Sequence, residues 1–254
     1  VRELASGIGR GFDARGRAVP LLRVRSLGGF EFAIDDVRRL SQGDFTAAQR
    51  KLLALLLASP EHALPQSQIQ RRLWPDSSAD AARSELQRLL SQLRELFDQR
   101  LAPSCGAACL SLRRGVLSLE NIVSDVAEFE RAGITAEVCL ADRPWQAQWH
   151  LRRALAIWRG HFCPGVEGLP CVSGMRAQLL DQHARYCRNY TELAERCGCS
   201  RQAAALIWEH FQSCAADREL ADRLWLLYAR LRRSDAGPEQ RAPEAAEARL
   251  VQSA

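Results

Sequence analysis

Lysine is nearly absent from this chain: 34 of its 35 basic residues are arginine, and Lys51 is the sole exception. Arginine's planar fork matches phosphate and guanine edges. A GC-rich coding genome produces the same bias, and the arginines are spread over both halves of the sequence, so the bias alone assigns no function. Long apolar runs are also missing, and none approaches the roughly 20 residues that span a bilayer. The start, Val1-Arg2-Glu3-Leu4, has neither an initiator Met nor the apolar core of a signal peptide. The expectation is a soluble, cytoplasmic protein without membrane attachment. A fragment of a longer chain is expected too, with room for a receiver or sensory domain ahead of Val1.

Signatures of metal, nucleotide and catalytic chemistry are equally scarce. The nine cysteines, Cys105, Cys109, Cys139, Cys163, Cys171, Cys187, Cys197, Cys199 and Cys214, are odd in number and irregularly spaced. Cys197-Gly198-Cys199, with His210 and Cys214 downstream, is tighter than the C-x2-4-C pairing zinc sites use. The cysteines therefore read as reduced, small apolar residues, and neither metal nor cofactor is expected. Gly7-Ile8-Gly9-Arg10-Gly11 is no phosphate loop, because no strand precedes it and no Gly-Lys-Ser/Thr follows. His62, His150, His161, His183 and His210 lie far apart, without a paired carboxylate or nucleophile motif, and read as surface or capped histidines. No catalytic residue emerges, and an enzyme is not expected.

What remains is globular. Over 254 residues, 47% hydrophobic and 26% charged side chains suit one large or two ordinary domains. Residues 1–120 hold 18 basic and 13 acidic residues, and residues 121–254 hold 17 of each. All the net charge of +5 therefore lies in the front half, as a polyanion-binding front half requires.

Residues 1–20, rich in glycine and arginine, read as a flexible lead-in. Leu22, Val24 and Leu27, then Phe30, Phe32 and Ile34, alternate on either side of Gly28-Gly29, a strand pair with a tight turn. Thr46 is an N-cap candidate for a helix whose Leu52, Leu53, Leu55, Leu56 and Leu57 form a wide buried stripe, ending near Ser59-Pro60. A second helix fits 66–74, with Ile69, Leu73 and Trp74 inward, and a third fits 79–97. A loop at 103–108 precedes a hairpin at 109–119 with Arg113-Arg114-Gly115 at its turn. Strands, three helices and a hairpin, in that order, make a winged helix over 21–120.

Beyond Asn121 no strand is expected. Helices are read at 125–132, 145–158, 173–196, 201–214, 218–232 and 243–251. Leu193-Ala194 and Tyr228-Ala229 lie 35 residues apart, a period that suits tetratricopeptide-like repeats. Trp145, Trp149, Trp158 and Trp208 fall at helical spacing and read as core. The fold class is thus mainly α with small β, a winged helix-turn-helix followed by an all-α tetratricopeptide-like domain over 121–254.

At about 100° per residue, the third helix gathers Leu86, Leu90, Leu93 and Phe97 on one side. Ser84, Gln87, Arg88 and Ser91 fall on the other, and such side chains fit a major groove about 12 Å wide. Arg88 suits a guanine edge and Gln87 an adenine, while Ser84 and Ser91 suit phosphate or base. Arg113 and Arg114 at the hairpin tip suit phosphate or the minor groove. Arg71 and Arg72, ending the second helix, suit phosphate or plain solvent equally.

Leu22-Arg23-Val24-Arg25-Ser26-Leu27-Gly28-Gly29-Phe30 resembles the opening strand of activators that join an OmpR-type winged helix to a bacterial transcriptional activator domain, among them the antibiotic-pathway regulators. Gln49-Arg50-Lys51-Leu52-Leu53-Ala54-Leu55-Leu56, the Leu73-Trp74-Pro75-Asp76 turn, and Ser84-Glu85-Leu86 through Ser91-Gln92-Leu93-Arg94 continue the resemblance. So do Asp125-Val126 with Phe129-Glu130, and Ala154-Leu155 through Trp158-Arg159-Gly160-His161-Phe162. The resemblance implies double-stranded DNA as partner, read at direct repeats by a homodimer. It also implies contact with RNA polymerase, with Pro75, Asp76, Ser77 and Ser78 as the candidate surface. Three features depart from the pattern: Ala216-Asp217-Arg218-Glu219, where the family has Pro-Leu before Arg-Glu; His161, where it often has Asp; and a short, Ala-rich last repeat at 243–251.

The rival reading is a protein-interaction module whose winged helix meets no DNA, favoured if acids such as Glu85 and Glu95 neutralise the polar face. A helical domain that binds a small effector is a third reading, for which the sequence names no ligand.

Overall fold

The computed structural model describes residues 10–12, 18–213 and 218–235. Cys214, Ala216, Asp217 and the helix expected at 243–251 lie outside them. The chain divides into two compact units, Val1–Ala132 with Ala156–Asp181 and Gly133–Leu155 with Gln182–Ala254. Among the described residues the strands are β1 Arg10–Phe12, β2 Ala18–Pro20, β3 Leu22–Arg25, β4 Glu31–Ala33, β5 Arg39–Leu40, β6 Ala63–Pro65, β7 Leu110–Arg113, β8 Val116–Leu119 and β9 Ile122–Ser124. The helices are α1 Ala47–Leu57, α2 Gln66–Leu73, α3 Ala79–Arg100, α4 Cys105–Cys109, α5 Asp125–Cys139, α6 Pro144–Ile157, α7 Pro170–Arg196, α8 Ser200–Ser213 and α9 Arg218–Asp235. A small-β winged helix-turn-helix thus precedes an all-helical remainder, as the sequence indicates.

In the first unit, β5-β4-β3-β9 form one sheet and β6-β8-β7 another, with β1 and β2 paired separately. Leu22 and Val24 alternate inward while Arg23 and Arg25 face out, the period-two pattern of a half-buried strand. Thr46 caps α1 through a reciprocal box: its hydroxyl accepts from the Gln49 N–H at 3.3 Å, and Gln49 Oε1 accepts the Thr46 N–H at 2.8 Å. The apolar core takes Leu52 through Leu57 of α1 and Leu86, Leu89, Leu90, Leu93 and Phe97 of α3. Phe30, Phe32, Phe45 and Phe97 meet in edge-on and tilted pairs, with ring centroids 5.5–6.5 Å apart.

Segment 159–163 packs on the β3–β4 turn. The Gly28 N–H donates to the His161 carbonyl at 2.9 Å, the Cys163 N–H donates to Ser26 O at 2.7 Å, and Leu27 bridges Phe162. Gly28 sits at φ +75°, and a Cβ there would overlap the Arg159 carbonyl. The backbone of His161 makes this contact, so it does not depend on the side chain at that position.

Several expectations need correction. Strands do not end at Asn121: β9 pairs in parallel with β3, Leu22 opposite Ile122. Its three residues carry no local pattern, and its partner lies a whole domain earlier in the chain. The loop at 103–108 is in part α4, entered through Ser104 in the left-handed region. Its small residues allow close packing, for a Cβ on Gly106 would overlap the Arg94 backbone. β1 and β2 pair antiparallel inside the segment read as a lead-in. In α2 only Ile69 is buried, while Leu73 and Trp74, at the end of an eight-residue helix, are half-buried.

The second unit corrects the reading of the tryptophans and histidines. Trp145 and Trp149 are exposed, and Trp208 is half-buried in a cluster with Phe211, Trp225 and Tyr228. Trp158, in the first unit, is core, packed on Phe129 at 5.5 Å. Periodicity identifies residues that share a face but not whether that face is covered. His183 and His210, 27 residues apart, are buried together, with His183 Nε2 3.2 Å from His210 Nδ1 and 3.6 Å from Cys187 Sγ. Gly133 makes room for the Tyr186 ring, which a Cβ would overlap. The eight described cysteines are all free thiols.

Candidate nucleic-acid interface

The interface is built on α2, the turn after it, α3 and the β7–β8 hairpin. Ser78 starts α3 as N-cap, its hydroxyl accepting the Ala81 N–H at 3.3 Å. The burial of Leu86, Leu89, Leu90, Leu93 and Phe97 then turns Ser84, Gln87, Arg88 and Ser91 outward, and all four are exposed. Pro75, Asp76, Ser77 and Ser78 are exposed in the turn, where the Ser77 N–H donates to Trp74 O at 3.3 Å. Arg71 and Arg72 are exposed on α2, and Arg71 Nε donates to its own helix at Ser67 O, 3.3 Å away.

The hairpin turn is shorter than the three residues expected. Arg113 pairs with Val116, leaving Arg114 and Gly115 as a two-residue loop at φ +50° and +77°. Two successive positive φ values are the type I′ geometry that matches strand twist. Arg113 and Arg114 are exposed at this tip.

Two ties hold the hairpin to the helices. The Gln66 N–H, first in α2, donates to the Gly115 carbonyl at 2.8 Å, beside the Pro65–Val116 pair of β6 and β8. Arg94 on α3 donates from Nε and Nη2 to Leu110 O, at 3.1 and 2.7 Å. Asp98, one turn on, accepts the Gly106 N–H at 2.7 Å. Arg94 and Asp98 are positioning residues that the sequence reading missed. Their one signal was the run of small residues in Cys105-Gly106-Ala107-Ala108-Cys109, which permits α4 to approach α3.

Charge is partly compensated. Arg88 donates to both Glu85 oxygens, Nε at 3.0 Å and Nη2 at 2.5 Å. That hydrogen bond holds the Glu85 carboxyl below its usual range and raises the Arg88 guanidinium. The two side chains are 56% and 41% exposed, and such surface pairs exchange partners readily and are screened by salt. Arg113 Nη2 lies 3.6 Å from Glu120 Oε2. Arg114 has no ion-pair partner among the described residues.

A capped helix with a polar outer face, joined through a short turn to a preceding helix and tied to a basic hairpin, defines the winged helix-turn-helix class. The comparisons agree with that class and name the rest. Residues 124–237 match the bacterial transcriptional activator domain family. A segment that matches this domain family thus follows the winged helix-turn-helix in the chain. Among solved structures, Mycobacterium tuberculosis EmbR, in complex with a low affinity phosphopeptide, matches with a TM-score of 0.62 at 20% identity, over 91% of this chain. The chain spans 64% of the length of that one. No curated protein sequence matches. No helix among the described residues is long and apolar enough to cross a membrane.

Proposed function

We propose that the protein is a sequence-specific DNA-binding transcription regulator, an activator working in the cytoplasm. In this reading α3 enters the major groove, where Arg88 and Gln87 address base edges and Ser84 and Ser91 address phosphate or base. Arg113 and Arg114 meet phosphate or the minor groove, and Arg71 and Arg72 supply further phosphate contacts. The observation that carries the reading is the mechanical tie between helix and hairpin. Arg94 to Leu110, and Gln66 to Gly115, present both surfaces as one rigid piece, as simultaneous docking on groove and backbone requires. Division of labour follows the sequence boundaries: 21–120 reads DNA, while 121–254 sets dimerisation on direct repeats or response to a signal. Pro75, Asp76, Ser77 and Ser78 offer RNA polymerase an exposed turn at the start of α3.

The pairing of Arg88 with Glu85 and of Arg113 with Glu120 favours one rival, a winged helix used as a protein-binding surface. Fluorescence anisotropy on a random-sequence duplex pool at two salt concentrations separates the two. DNA reading requires salt-sensitive binding that Arg113→Ala/Arg114→Ala weakens with a shallower salt slope, while Arg88→Ala loses about 5- to 100-fold on the selected site. Binding that is absent at low salt, or indifferent to all three arginines, establishes the rival.

A further inference from the structure

Of the seven exposed large apolar side chains among the described residues, four lie on α5 and α6 within the second unit. Ile134 and Val138 are 59% and 70% exposed, one turn apart on α5, and Trp145 and Trp149 are 63% and 58% exposed, one turn apart on α6. The opposite side of α6 is fully engaged, with Ala147, Leu151, Ala154 and Leu155 buried. Single exposed apolar residues are ordinary, but two tryptophans on one open helix face are the composition of an interaction site.

Charge around these rings selects the partner. From Leu140 to Arg153 the sequence holds three arginines and one carboxylate, Asp142. Arg143, Arg152 and Arg153 are exposed and have no ion pair among the described residues. At 100° per residue Arg152 and Arg153 continue the Trp145–Trp149 face by one further turn, and the Arg153 guanidinium lies 5.8 Å from the Trp149 ring centroid. The nearby acid of α5, Glu137, is already held by Arg185 at 2.8 Å. The face is therefore aromatic at its centre and cationic at its edge. Apolar contact dominates it, and three arginines are few for a polyphosphate chain, so a protein ligand fits better than a nucleic acid.

We propose that the Trp145–Arg153 face of α6 docks an acidic amphipathic segment of a partner protein, its apolar side on the tryptophans and its carboxylates on Arg152 and Arg153. The proposal does not depend on DNA binding. Buried aromatic and arginine anchors carry most of the affinity in such interfaces.

The test uses the full chain and fluorescein-labelled probes: a designed 18-residue helix with Leu and Phe on one face and Glu on the other, the same peptide with Lys for Glu, and a 16-residue oligothymidine. Anisotropy should show saturable binding of the Glu peptide alone. Trp145→Ala/Trp149→Ala and, separately, Arg152→Gln/Arg153→Gln should each weaken it at least tenfold, with circular dichroism and melting temperature unchanged. Four results overturn the proposal: no binding of the Glu peptide, equal binding of the Lys peptide, preference for the oligothymidine, or indifference to both double variants. Sedimentation adds a fifth, for if the tryptophan variant turns a dimer into a monomer the face belongs to a second copy of this chain.

Discussion

Asp125 receives the backbone N–H of Ser26 on both carboxylate oxygens at 2.9 Å, and the Ser26 hydroxyl on Oδ1 at 2.8 Å. The Leu27 N–H also donates to it, at 2.9 Å, and Arg159 approaches to 3.6 Å. The end of β3 is thereby fixed to the first residue of α5, about one hundred positions later. Asp125→Asn keeps one acceptor oxygen but turns an amide NH2 toward these donors, leaving buried N–H groups unsatisfied. The expected cost is about 1–3 kcal/mol, read as a lower urea midpoint with an unchanged slope. An unchanged midpoint would show that this junction does not hold the fold.

Gly28 and Gly115 both have positive φ, at +75° and +77°, but only Gly28 is also confined. Its Cβ position is filled by the Arg159 carbonyl, whereas nothing lies within 4 Å of that position at Gly115. Gly115→Ala should carry only backbone strain, about 1 kcal/mol. Gly28→Ala adds a clash that one of two paired segments must relieve, for a total of several kcal/mol. Thermal melts of the two variants should differ by many degrees, and equal melting temperatures would refute the packing of 159–163 on the turn.

The contrast between these glycines also marks what the sequence could convey. The Gly28-Gly29 turn, the Thr46 cap and the leucine stripe of α3 are local signals, and each element stands where it was expected. The polar face with Ser84, Gln87, Arg88 and Ser91 was legible for the same reason. β9 was not, because its pairing with β3 depends on residues remote in the chain. Nor was α4, since Cys-Gly-Ala-Ala-Cys offers no apolar period and forms only where Arg94 and Asp98 accept its approach. The Glu85–Arg88 pair lies at an i,i+3 spacing that a sequence permits without requiring.

Arg94 yields a sharper test of how the hairpin is held. Its two bonds to Leu110 O are the side-chain tie between α3 and β7. Arg94→Lys supplies a point charge without the fork and should loosen that tie, and Arg94→Leu should remove it at about 1–3 kcal/mol. Hydrogen exchange should rise in β7 and β8 more than in α1. Uniform acceleration across the domain would instead mean general destabilisation, and Arg94 would lose its positioning role.

The buried histidine pair makes stability depend on pH in one direction. Burial lowers the His210 pKa from 6.5 to about 4, because the charged imidazolium is poorly solvated in its buried place against His183. Above pH 6.5 both folded and unfolded forms are neutral at this site, and pH has no effect through it. As pH falls below 6.5 the unfolded chain takes up the proton first, so stability drops until about pH 4, where the folded form protonates as well. The full effect approaches about 3 kcal/mol. His210→Gln lowers stability at neutral pH by removing the contact with His183, but it should flatten the slope between pH 4 and 6.5 relative to wild type. If the variant keeps the wild-type slope, the proton uptake belongs to another group and His210 is not held neutral by burial.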